Sequence, residues 1–516
     1  MKSQRPPGGR TILRVARDAG FVCASLAAVP LIAIGQTPCK QLKSLKLADT
    51  TITLTESSGP GEFTPPGSTS TAVTTSLPGF CRVAATLKPS LDSEIKIEVW
   101  LPAGAGWNGK YLAVGGGGWV GSINYRDMAT AVQEGYATSS TDTGHIGGTA
   151  EFAVGHPEKV TDFAYRAVHE MTVKAKAIVT AHYGRGPRLS YWTGCSTGGR
   201  QGLMEAQRYP ADFDGIVAGA PANNQIQLSA WRFALETAAL KDPARVVPLA
   251  KIALLNRAVL TACDGLKDGF LSDPKKCRFD PSTLLCRGTE AADCLTAPQL
   301  ESVKQAYAPV NNKTGERIYP GLAPGSESGW ELLAALRPEP NVIDLGMFRL
   351  VAHQDPAWDW RLFDLDRDVA LADQKAGSMT AVNPDLSAFK VRGGRLLIYH
   401  GWNDGGSGGA ISPLNTLDYY SSVIAKMGQK QDGWLRLFMV PGMGHCGGGP
   451  GPNQFNVLAA LERWRESGIA PGRITAYHVE NNRVTMTRPL CPYPQVATYK
   501  GTGSTNDASN FACKAP

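Results

Sequence analysis

The sequence predicts an α/β protein in which a mostly parallel sheet is covered by helices on both faces. Compact apolar strands, such as residues 189–193 and 394–400, alternate with stretches in which apolar side chains recur every three or four residues. Strands that are apolar on both faces are typical of parallel sheets buried between helices. The composition agrees, because 43% of the 516 residues are hydrophobic, and it excludes a disordered, collagenous or coiled-coil protein.

The N-terminal residues 1–35 are predicted to form a signal peptide. A basic stretch precedes residues 19–35, which carry no charge, and residues 33–35 offer the small side chains that signal peptidase reads. A membrane anchor is the alternative, but Pro30 interrupts the uncharged stretch, which is shorter than the roughly 20 residues that span a bilayer. We therefore expect cleavage after Gly35 and a secreted or periplasmic protein that is not held at the membrane.

The charge pattern gives no sign of a nucleic-acid partner. The formal net charge is +7, and five basic residues against one acidic residue place +4 of it within the first eighteen residues. The rest of the chain carries only about +3 and has no cluster of Lys and Arg interleaved with aromatic residues. We expect an ordinary solvated surface, and the sequence leaves the oligomeric state open.

Changes in amino-acid composition mark the predicted domain boundaries. Residues 36 to about 75 are rich in Ser, Thr, Gly and Pro, which predicts loops and short edge strands before the main sheet. Between residues 224 and 386, four cysteines, many Pro and Gly, and mixed helical segments replace the regular alternation of strands and helices. We therefore expect residues 36–223 and 387–516 to form one sheet domain, with residues 224–386 inserted as a lid domain over the ends of its strands.

The cysteines indicate a set of disulfides. Ten of the eleven follow residue 35, and an even number in an oxidising compartment favours five disulfides over metal or redox chemistry. Spacing alone does not fix the pairing, since ten cysteines allow many connectivities. Cys195 and Cys446 are left over when sequence proximity is used to suggest four pairs: Cys39–Cys81, Cys263–Cys277, Cys286–Cys294 and Cys491–Cys513.

Ser196 is the candidate nucleophile. Residues 194–198 fit the pattern G-x-S-x-G, with an apolar strand before them and a Gly-rich start to a helix after them. A serine at the tip of such a turn is held in a strained backbone, and its hydroxyl is exposed at the carboxyl end of the sheet. The pattern alone also recurs by chance, so a base and an acid are needed to support it.

His445 and Asp404 are the candidate base and acid. In hydrolases with this turn the order along the chain is Ser, Asp or Glu, His, and His445 lies in a loop just after an apolar strand. Asp404 likewise follows a strand, although a simple turn residue is the alternative. His400, within a strand, and His478, in an alternating segment, are expected to be structural.

A reaction at Ser196 would also need donors for an oxyanion. One should be the backbone N–H of Thr197, the residue after the nucleophile, and the second should come from an early loop after a strand. Residues 115–118 are four consecutive glycines after an apolar run, and we favour Gly117 or Gly118. The alternative is a flexible surface loop.

These motifs resemble the tannase/feruloyl esterase family. The resemblance covers most of the mature chain and includes the Gly-rich loop with Trp119, residues 141–145, 194–202 and 401–404, and the His445-Cys446 pair. It implies an α/β-hydrolase fold with an inserted lid that binds the acyl group, a Ser-Asp-His triad, and a Cys195–Cys446 disulfide beneath that triad. It also implies hydrolysis of esters of aromatic acids, and bacterial terephthalate monoester hydrolases are similar too.

The resemblance further implies a structural calcium site in the lid. Family members carry an Asp-rich loop between two bridged cysteines, and residues 263–270 form a shortened version that lacks one aspartate. Calcium favours six to eight oxygen ligands, and a plain turn is the alternative. The expected ligands are the side chains of Asp264 and Asp268 with the carbonyls of Leu266 and Phe270. The loop after Asp404 also differs, because residues 405–409 are inserted there.

The leading hypothesis is a secreted serine carboxylesterase of feruloyl esterase type that needs no cofactor for its chemistry. Its partner would be a small aromatic ester, with a tannase or a terephthalate monoester hydrolase as the nearest alternatives. A serine peptidase and a non-catalytic binding protein with the same fold are the rival classes. Aromatic stacking and an anion clamp in the lid are expected from residues that are also common in cores: Trp330, Phe348, Arg349, Trp358 and Trp360.

Overall fold

The structure, a computed structural model, describes four stretches of the chain: residues 36–66, 74–119, 121–406 and 410–516. The predicted signal peptide, residues 1–35, lies outside the described residues, as do residues 407–409 of the altered loop after Asp404. The strands are β1 (Thr50–Ser58), β2 (Gly61–Phe63), β3 (Thr74–Leu77), β4 (Phe80–Leu87), β5 (Ile95–Pro102), β6 (Lys110–Val114), β7 (Ala137–Thr141), β8 (Leu189–Cys195), β9 (Gly215–Gly219), β10 (Val310–Asn311), β11 (Arg317–Tyr319), β12 (Arg395–Gly401), β13 (Leu435–Val440), β14 (Ile474–Glu480), β15 (Arg483–Leu490), β16 (Val496–Tyr499) and β17 (Phe511–Lys514).

A nine-stranded sheet forms the centre of the molecule. Its strands lie in the order β1-β4-β5-β7-β6-β8-β9-β12-β13. The pairs from β7 to β13 are all parallel, whereas β1, β4 and β5 form an antiparallel edge that continues to β7. The predicted mostly parallel sheet is confirmed.

The antiparallel edge is longer than the sequence suggested. Residues 36 to about 75 were expected to hold only loops and short edge strands, but β1 is nine residues long and pairs with β4 along its whole length. Its Thr and Ile residues favour an extended backbone, and the Gly-Pro turn that follows ends the strand rather than preventing it. The Cys39–Cys81 disulfide holds the preceding segment against β4.

Helices cover both faces of the sheet. Met171 and Ile178 of one helix layer pack with Ile97 and Val99 of β5, while Trp100 of the same strand packs in a second core on the opposite face. Successive side chains of a strand point to opposite faces, so a strand buried on both sides is apolar throughout. The helices are α1 (Tyr125–Gln133), α2 (Pro157–Thr161), α3 (Ala167–Tyr183), α4 (Thr197–Arg208), α5 (Gln225–Lys241), α6 (Leu249–Cys263), α7 (Ala297–Tyr307), α8 (Val342–Gly346), α9 (Leu365–Ala376), α10 (Ser387–Val391), α11 (Pro413–Met427) and α12 (Val457–Ser467).

Residues 224–386, which we call the inserted segment, lie between β9 and β12. Their described strands, β10 and β11, pair with each other and not with the central sheet. Helices α5 to α9 and the loops between them contribute to two further apolar cores, which also include residues outside the segment, such as Trp119 and Ile411. The aromatic residues that the sequence offered for substrate binding, Trp330, Phe348, Trp358 and Trp360, are all buried in these cores, and Arg349 is paired with Glu339.

Within the part of the chain that the structure describes, one helical stretch, Pro243–Cys263, is long and apolar enough to cross a membrane by length and composition alone. Its side chains Ile252, Leu255 and Val259 are buried in a core of the inserted segment. Core helices of soluble proteins have the same length and composition, so the stretch is weak evidence for a membrane span.

The described residues contain five disulfides, which join the pairs that the sequence suggested together with the pair that was left over. All five have Cα–Cα distances within the usual range for a disulfide, from 4.9 to 6.0 Å. Cys195–Cys446 joins residues 251 positions apart, whereas Cys286–Cys294 closes a loop of eight. The others are Cys39–Cys81, Cys263–Cys277 and Cys491–Cys513.

Candidate active site

Ser196 lies at the sharp turn between β8 and α4. Its backbone has φ 63° and ψ −122°, a conformation that is strained for any residue with a side chain. A Cβ added to Gly194 would lie 2.7 Å from the backbone of Gly198, so the turn closes only with glycine there. The Ser196 N–H donates to Gly219 O at 3.0 Å, and the Ser196 carbonyl accepts from Ala222 N at 3.1 Å. The end of β9 and the residues that follow it therefore hold Ser196 in its strained conformation.

Asp404 and His445 are hydrogen-bonded at the carboxyl ends of β12 and β13. His445 Nδ1 donates to Asp404 Oδ2 at 2.7 Å, and the other carboxylate oxygen accepts from Ile411 N at 3.1 Å. Asp404 is fully buried, whereas the His445 side chain keeps 17% of its surface exposed. The imidazole therefore has one nitrogen fixed by the carboxylate while the ring stays in reach of solvent.

The two groups shift each other's pKa in opposite directions. Burial alone would raise the pKa of Asp404, but the charge of His445 and the hydrogen bonds from His400 and His445 outweigh burial and hold that pKa well below its usual range. Burial alone would lower the pKa of His445, and the charge of Arg232 acts in the same direction. The charge and hydrogen bond of Asp404 outweigh both and raise the pKa of His445.

His400 is a second histidine on the same carboxylate. It is fully buried, and its Nε2 lies 3.0 Å from Asp404 Oδ2 and 3.1 Å from the carbonyl oxygen of Ile411. Both partners are acceptors, so Nε2 carries the proton, and Nδ1 accepts from the Thr416 hydroxyl at 2.7 Å. The sequence interpretation of His400 as a structural residue missed this contact, for which four-residue spacing from Asp404 was the one available signal.

The Cys195–Cys446 disulfide links the turn of Ser196 to the loop of His445. Its two Cα atoms are 6.0 Å apart, and each cysteine is the direct neighbour of one candidate residue. Ser196 and the Asp404–His445 pair are thus brought together although they lie more than 200 residues apart along the chain. The bridge that the resemblance implied is present.

The loop 115–118 lies along the N-terminus of α4. The Thr197 hydroxyl donates to Gly118 O at 3.1 Å, and Gly198 N donates to Gly116 O at 2.9 Å. The Gly116 N–H donates to the Gln201 side chain at 3.2 Å and is thereby occupied. The Thr197 hydroxyl therefore ties the start of α4 to the end of the Gly-rich loop at Gly118.

Trp119 and His145 fix the end of this loop. Trp119 Nε1 donates to Ile343 O in the inserted segment at 2.9 Å, and the Trp119 carbonyl accepts from His145 Nε2 at 2.6 Å. Burial lowers the pKa of His145, so its ring is neutral at pH 7 and donates through Nε2. Asn124 adds a hydrogen bond of 2.9 Å to Gly115 O at the start of the loop. The motif 141–145 thus supports the loop through His145.

A buried ion pair, Arg232–Asp344, contacts the chain that follows Asp404. The Arg232 guanidinium holds the Asp344 carboxylate through two nitrogens, with Nε at 2.9 Å from Oδ2, and donates to Ala410 O at 3.3 Å. Glu236, one turn further along α5, lies beside this pair, and burial raises its pKa to about 7. Arg232 and Glu236 line a cavity that is bounded on its other side by Gly406 and Ala410.

The loop predicted to bind calcium does not fit a calcium site. Both carboxylate oxygens of Asp264 accept backbone N–H groups of the same loop, from Leu266 at 3.1 Å, Lys267 at 2.8 Å and Gly269 at 2.9 Å. Asp268 accepts from the guanidinium of Arg488 at 2.8 Å. A carboxylate engaged by three backbone donors and another paired with a buried cation do not offer the six to eight oxygen ligands of calcium.

Comparisons with known proteins identify the family of the chain. The family profile "Tannase and feruloyl esterase" matches residues 81–514. An uncharacterized esterase of Xanthomonas campestris is 38% identical over 95% of this chain and 93% of its own length, and a probable feruloyl esterase B-2 of Aspergillus terreus is 35% identical over 87% and 88%.

Solved structures show the same fold. The crystal structure of feruloyl esterase B from Aspergillus oryzae superposes with a TM-score of 0.85 at 30% identity, covering 92% of this chain and 99% of that one. Tannin acyl hydrolase from Aspergillus niger, at 22% identity, covers 92% and 93% with a TM-score of 0.74 and supports the fold alone. The chain therefore belongs to the tannase and feruloyl esterase family and is a carboxylic ester hydrolase with the α/β-hydrolase fold.

Proposed function

We propose that this esterase is secreted and hydrolyses esters of aromatic acids, of the feruloyl type, through an acyl-enzyme on Ser196. The observation that carries the proposal is the Asp404–His445 hydrogen bond of 2.7 Å, which the Cys195–Cys446 disulfide ties to the turn of Ser196. Side chains in this order and at strand ends are those that activate a serine hydroxyl.

In the first half of the reaction, Ser196 Oγ attacks the ester carbonyl carbon while His445 Nε2 takes the hydroxyl proton. The carbonyl oxygen becomes an oxyanion, which accepts from the Thr197 N–H and from the N–H of Gly117 or Gly118. The C–O bond to the alcohol breaks as His445 returns the proton to the leaving oxygen. Asp404 remains ionised throughout and holds the imidazole in the tautomer that donates from Nδ1.

In the second half, a water molecule attacks the acyl-enzyme carbonyl with His445 as the base. Collapse of this intermediate releases the carboxylic acid and returns the proton to Ser196 Oγ. These steps use side-chain and backbone groups of this chain and need no cofactor.

The aromatic-acid specificity is supported by the relatives. The curated relatives from Aspergillus are named probable feruloyl esterases, and the feruloyl esterase B structure matches this chain over nearly its whole length. Galloyl esters, as for a tannase, and terephthalate monoesters are the alternatives within the same chemistry. The five disulfides support an oxidising, extracellular compartment, in line with a signal peptide at residues 1–35.

The substrate class is tested with a panel of esters on the purified mature protein. We expect methyl ferulate to give a higher kcat/KM than methyl gallate or a terephthalate monoester, and no cleavage of the matching feruloyl amide. A preference for methyl gallate or the terephthalate monoester would instead assign the corresponding alternative, and amide cleavage would indicate a peptidase. N-terminal sequencing of the exported protein should begin at Gln36.

The nucleophile is tested by substitution and by labelling. Ser196→Ala should lower kcat at least about 10³-fold, because loss of the nucleophile leaves only the oxyanion site and binding. A fluorophosphonate should label the wild-type chain at Ser196 and should not label the variant. Ser57→Ala, at an exposed position of β1, is the control and should retain full activity and labelling. Unchanged hydrolysis by the Ser196 variant would refute the assignment.

A further inference from the structure

Arg488 is a fully buried arginine at the loop where the family resemblance implies calcium. It lies in β15, its side chain has no exposed surface, and its Nη2 donates to Asp268 Oδ2 at 2.8 Å and to Thr505 O at 3.1 Å. The guanidinium carbon lies 4.0 Å from the ring centre of Phe511 and 5.3 Å from that of Phe270. Two aromatic faces and a carboxylate therefore surround one positive charge.

This position connects two parts of the chain that a metal ion could otherwise join. Asp268 belongs to the inserted segment, in the loop closed by Cys263–Cys277, whereas Arg488 belongs to the C-terminal hairpin of β14 and β15. Burial raises the pKa of Asp268, and the hydrogen bond and charge of Arg488 oppose that rise. A calcium ion placed beside the guanidinium would meet an unscreened like charge at short range in a buried site.

The same loop contacts the segment that carries His445. Phe270 is fully buried, and a Cβ added to Gly442 would lie 2.7 Å from Phe270 Cγ. Gly442 has φ +70° and lies three residues before His445, and its carbonyl accepts from Gly451 N at 3.1 Å. Phe270 thus packs directly on the backbone of the His445 loop, and its own ring is held against Arg488.

We propose that Arg488 is a built-in cation that replaces the family's calcium ion: paired with Asp268, it joins the inserted segment to the C-terminal hairpin and, through Phe270, positions the loop of His445. Arg488 is a positioning residue in this scheme and does not touch substrate. The stability of the enzyme is then independent of calcium, and its turnover depends on the guanidinium. The turnover part rests on the proposed role of His445, whereas the calcium part does not.

The calcium part is tested by thermal unfolding of the full-length mature protein. Melting curves are recorded for the untreated protein, for the protein after treatment with EDTA and removal of the chelator, and for the treated protein with added CaCl2. We expect the same Tm in all three states. A Tm that falls after EDTA and recovers with CaCl2 would overturn the proposal.

The positioning part is tested with Arg488→Met, which removes the charge and keeps most of the apolar length. The matched control is Arg82→Met, which breaks the Arg82–Glu98 pair in the antiparallel edge of the sheet. Both variants should have a lower Tm. At a temperature where circular dichroism shows both to be folded, Arg488→Met should lose kcat on the order of tenfold with KM little changed, because a displaced base impairs the chemical step. Arg82→Met should keep the wild-type kcat.

Arg488→Lys supplies a rescue arm. Lysine keeps the charge and should recover part of the kcat, whereas a purely packing role would make the Lys variant no better than the Met variant. If Arg488→Met does not fold, Phe270→Leu keeps the ion pair, shortens the contact with Gly442 and should show the same loss of kcat. A wild-type kcat in folded Arg488→Met, or in Phe270→Leu, would overturn the positioning role. Any ester that the wild type hydrolyses serves, so failure of the aromatic-acid specificity would not affect the result.

Discussion

One carboxylate oxygen of Asp404 accepts hydrogen bonds from two imidazoles. Oδ2 accepts from His445 at 2.7 Å and from His400 at 3.0 Å, and Thr416 holds the tautomer of His400. Two donors on a fully buried carboxylate keep it ionised at neutral pH. The negative charge in turn favours protonated His445, so the strength of the base is set by a residue that never contacts substrate.

The pH dependence of hydrolysis follows from these contacts. The neutral imidazole of His445 is the base, so kcat/KM should be low at acid pH and rise as the ring loses its proton. Because Asp404 raises the pKa of His445, the midpoint of this rise should lie above the ordinary histidine value of about 6.5. A rate profile between pH 5 and 9 measures it, and a midpoint below that value would contradict the assigned pair.

Asp404→Asn is the matching substitution. It removes the charge, which should move the midpoint to lower pH, and it allows the wrong tautomer of His445, which should lower kcat by about 10⁴-fold, the loss expected when a triad carboxylate becomes an amide. Asp385→Asn, an exposed carboxylate, should leave both the midpoint and kcat unchanged.

At the scale of single residues, the sequence predicted the positions that sit at strand ends and missed a contact that depends on a loop. Ser196, Asp404 and His445 each follow an apolar strand, and parallel strands bring their carboxyl ends to one edge. His400 lies inside β12, where the alternation of side chains predicts which face of the sheet it is on. The alternation does not predict that the chain after Gly401 turns back and brings Asp404 into contact with His400. Arg488 was missed because a lone arginine in an alternating strand has no distinguishing pattern.

At the scale of elements, the strands and helices of the parallel half could be predicted because each strand is buried on both faces and therefore continuously apolar. The length of the edge strand β1 was not predicted, because its Thr and Ser residues are also common in loops. The disulfides then decide how the element ends meet. Cys195–Cys446 connects the end of β8 to the loop after β13, which are not adjacent in the sheet.

The effect of that bridge on turnover can be separated from its effect on stability. In Cys195→Ser/Cys446→Ser the loops of Ser196 and His445 lose their covalent link, and kcat should fall about tenfold or more at a temperature where the variant is folded. The bridge spans 251 positions, so its loss should also cost about 5 kcal/mol in the free energy of unfolding. Steady-state kinetics and chemical denaturation measure the two effects.

Cys286→Ser/Cys294→Ser is the control for the same chemistry at another place. This bridge closes a loop of eight residues in the inserted segment, away from Ser196 and His445. Its loss should lower stability by less and leave kcat unchanged. Equal losses of kcat in both double variants would show that the Cys195–Cys446 bridge has no special role at the site.

At the scale of the whole molecule, the change in amino-acid composition predicted that a segment is inserted. It did not predict how that segment packs against the sheet. The packing of the segment depends on hydrogen bonds between residues far apart in sequence, and no local sequence pattern predicts such bonds. Asn403 Nδ2 donates to Gly325 O at 2.7 Å, and the Ser412 hydroxyl donates to Gly321 O at 2.6 Å. From the nucleophile helix, Arg200 Nη1 donates to Met379 O at 3.2 Å. All three donors are buried, and two of them flank Asp404.

These buried contacts predict that the inserted segment and the sheet unfold together. Differential scanning calorimetry of the mature protein should show one transition, because releasing the segment alone would take from Asn403 and Ser412 the carbonyl oxygens to which they donate. Asn403→Ala should move that single transition to lower temperature by a few degrees, as expected for loss of one buried hydrogen bond. An early, separate transition that Asn403→Ala shifts alone would show instead that the segment opens independently, as a mobile lid would, and that the loop of Asp404 is intact without it.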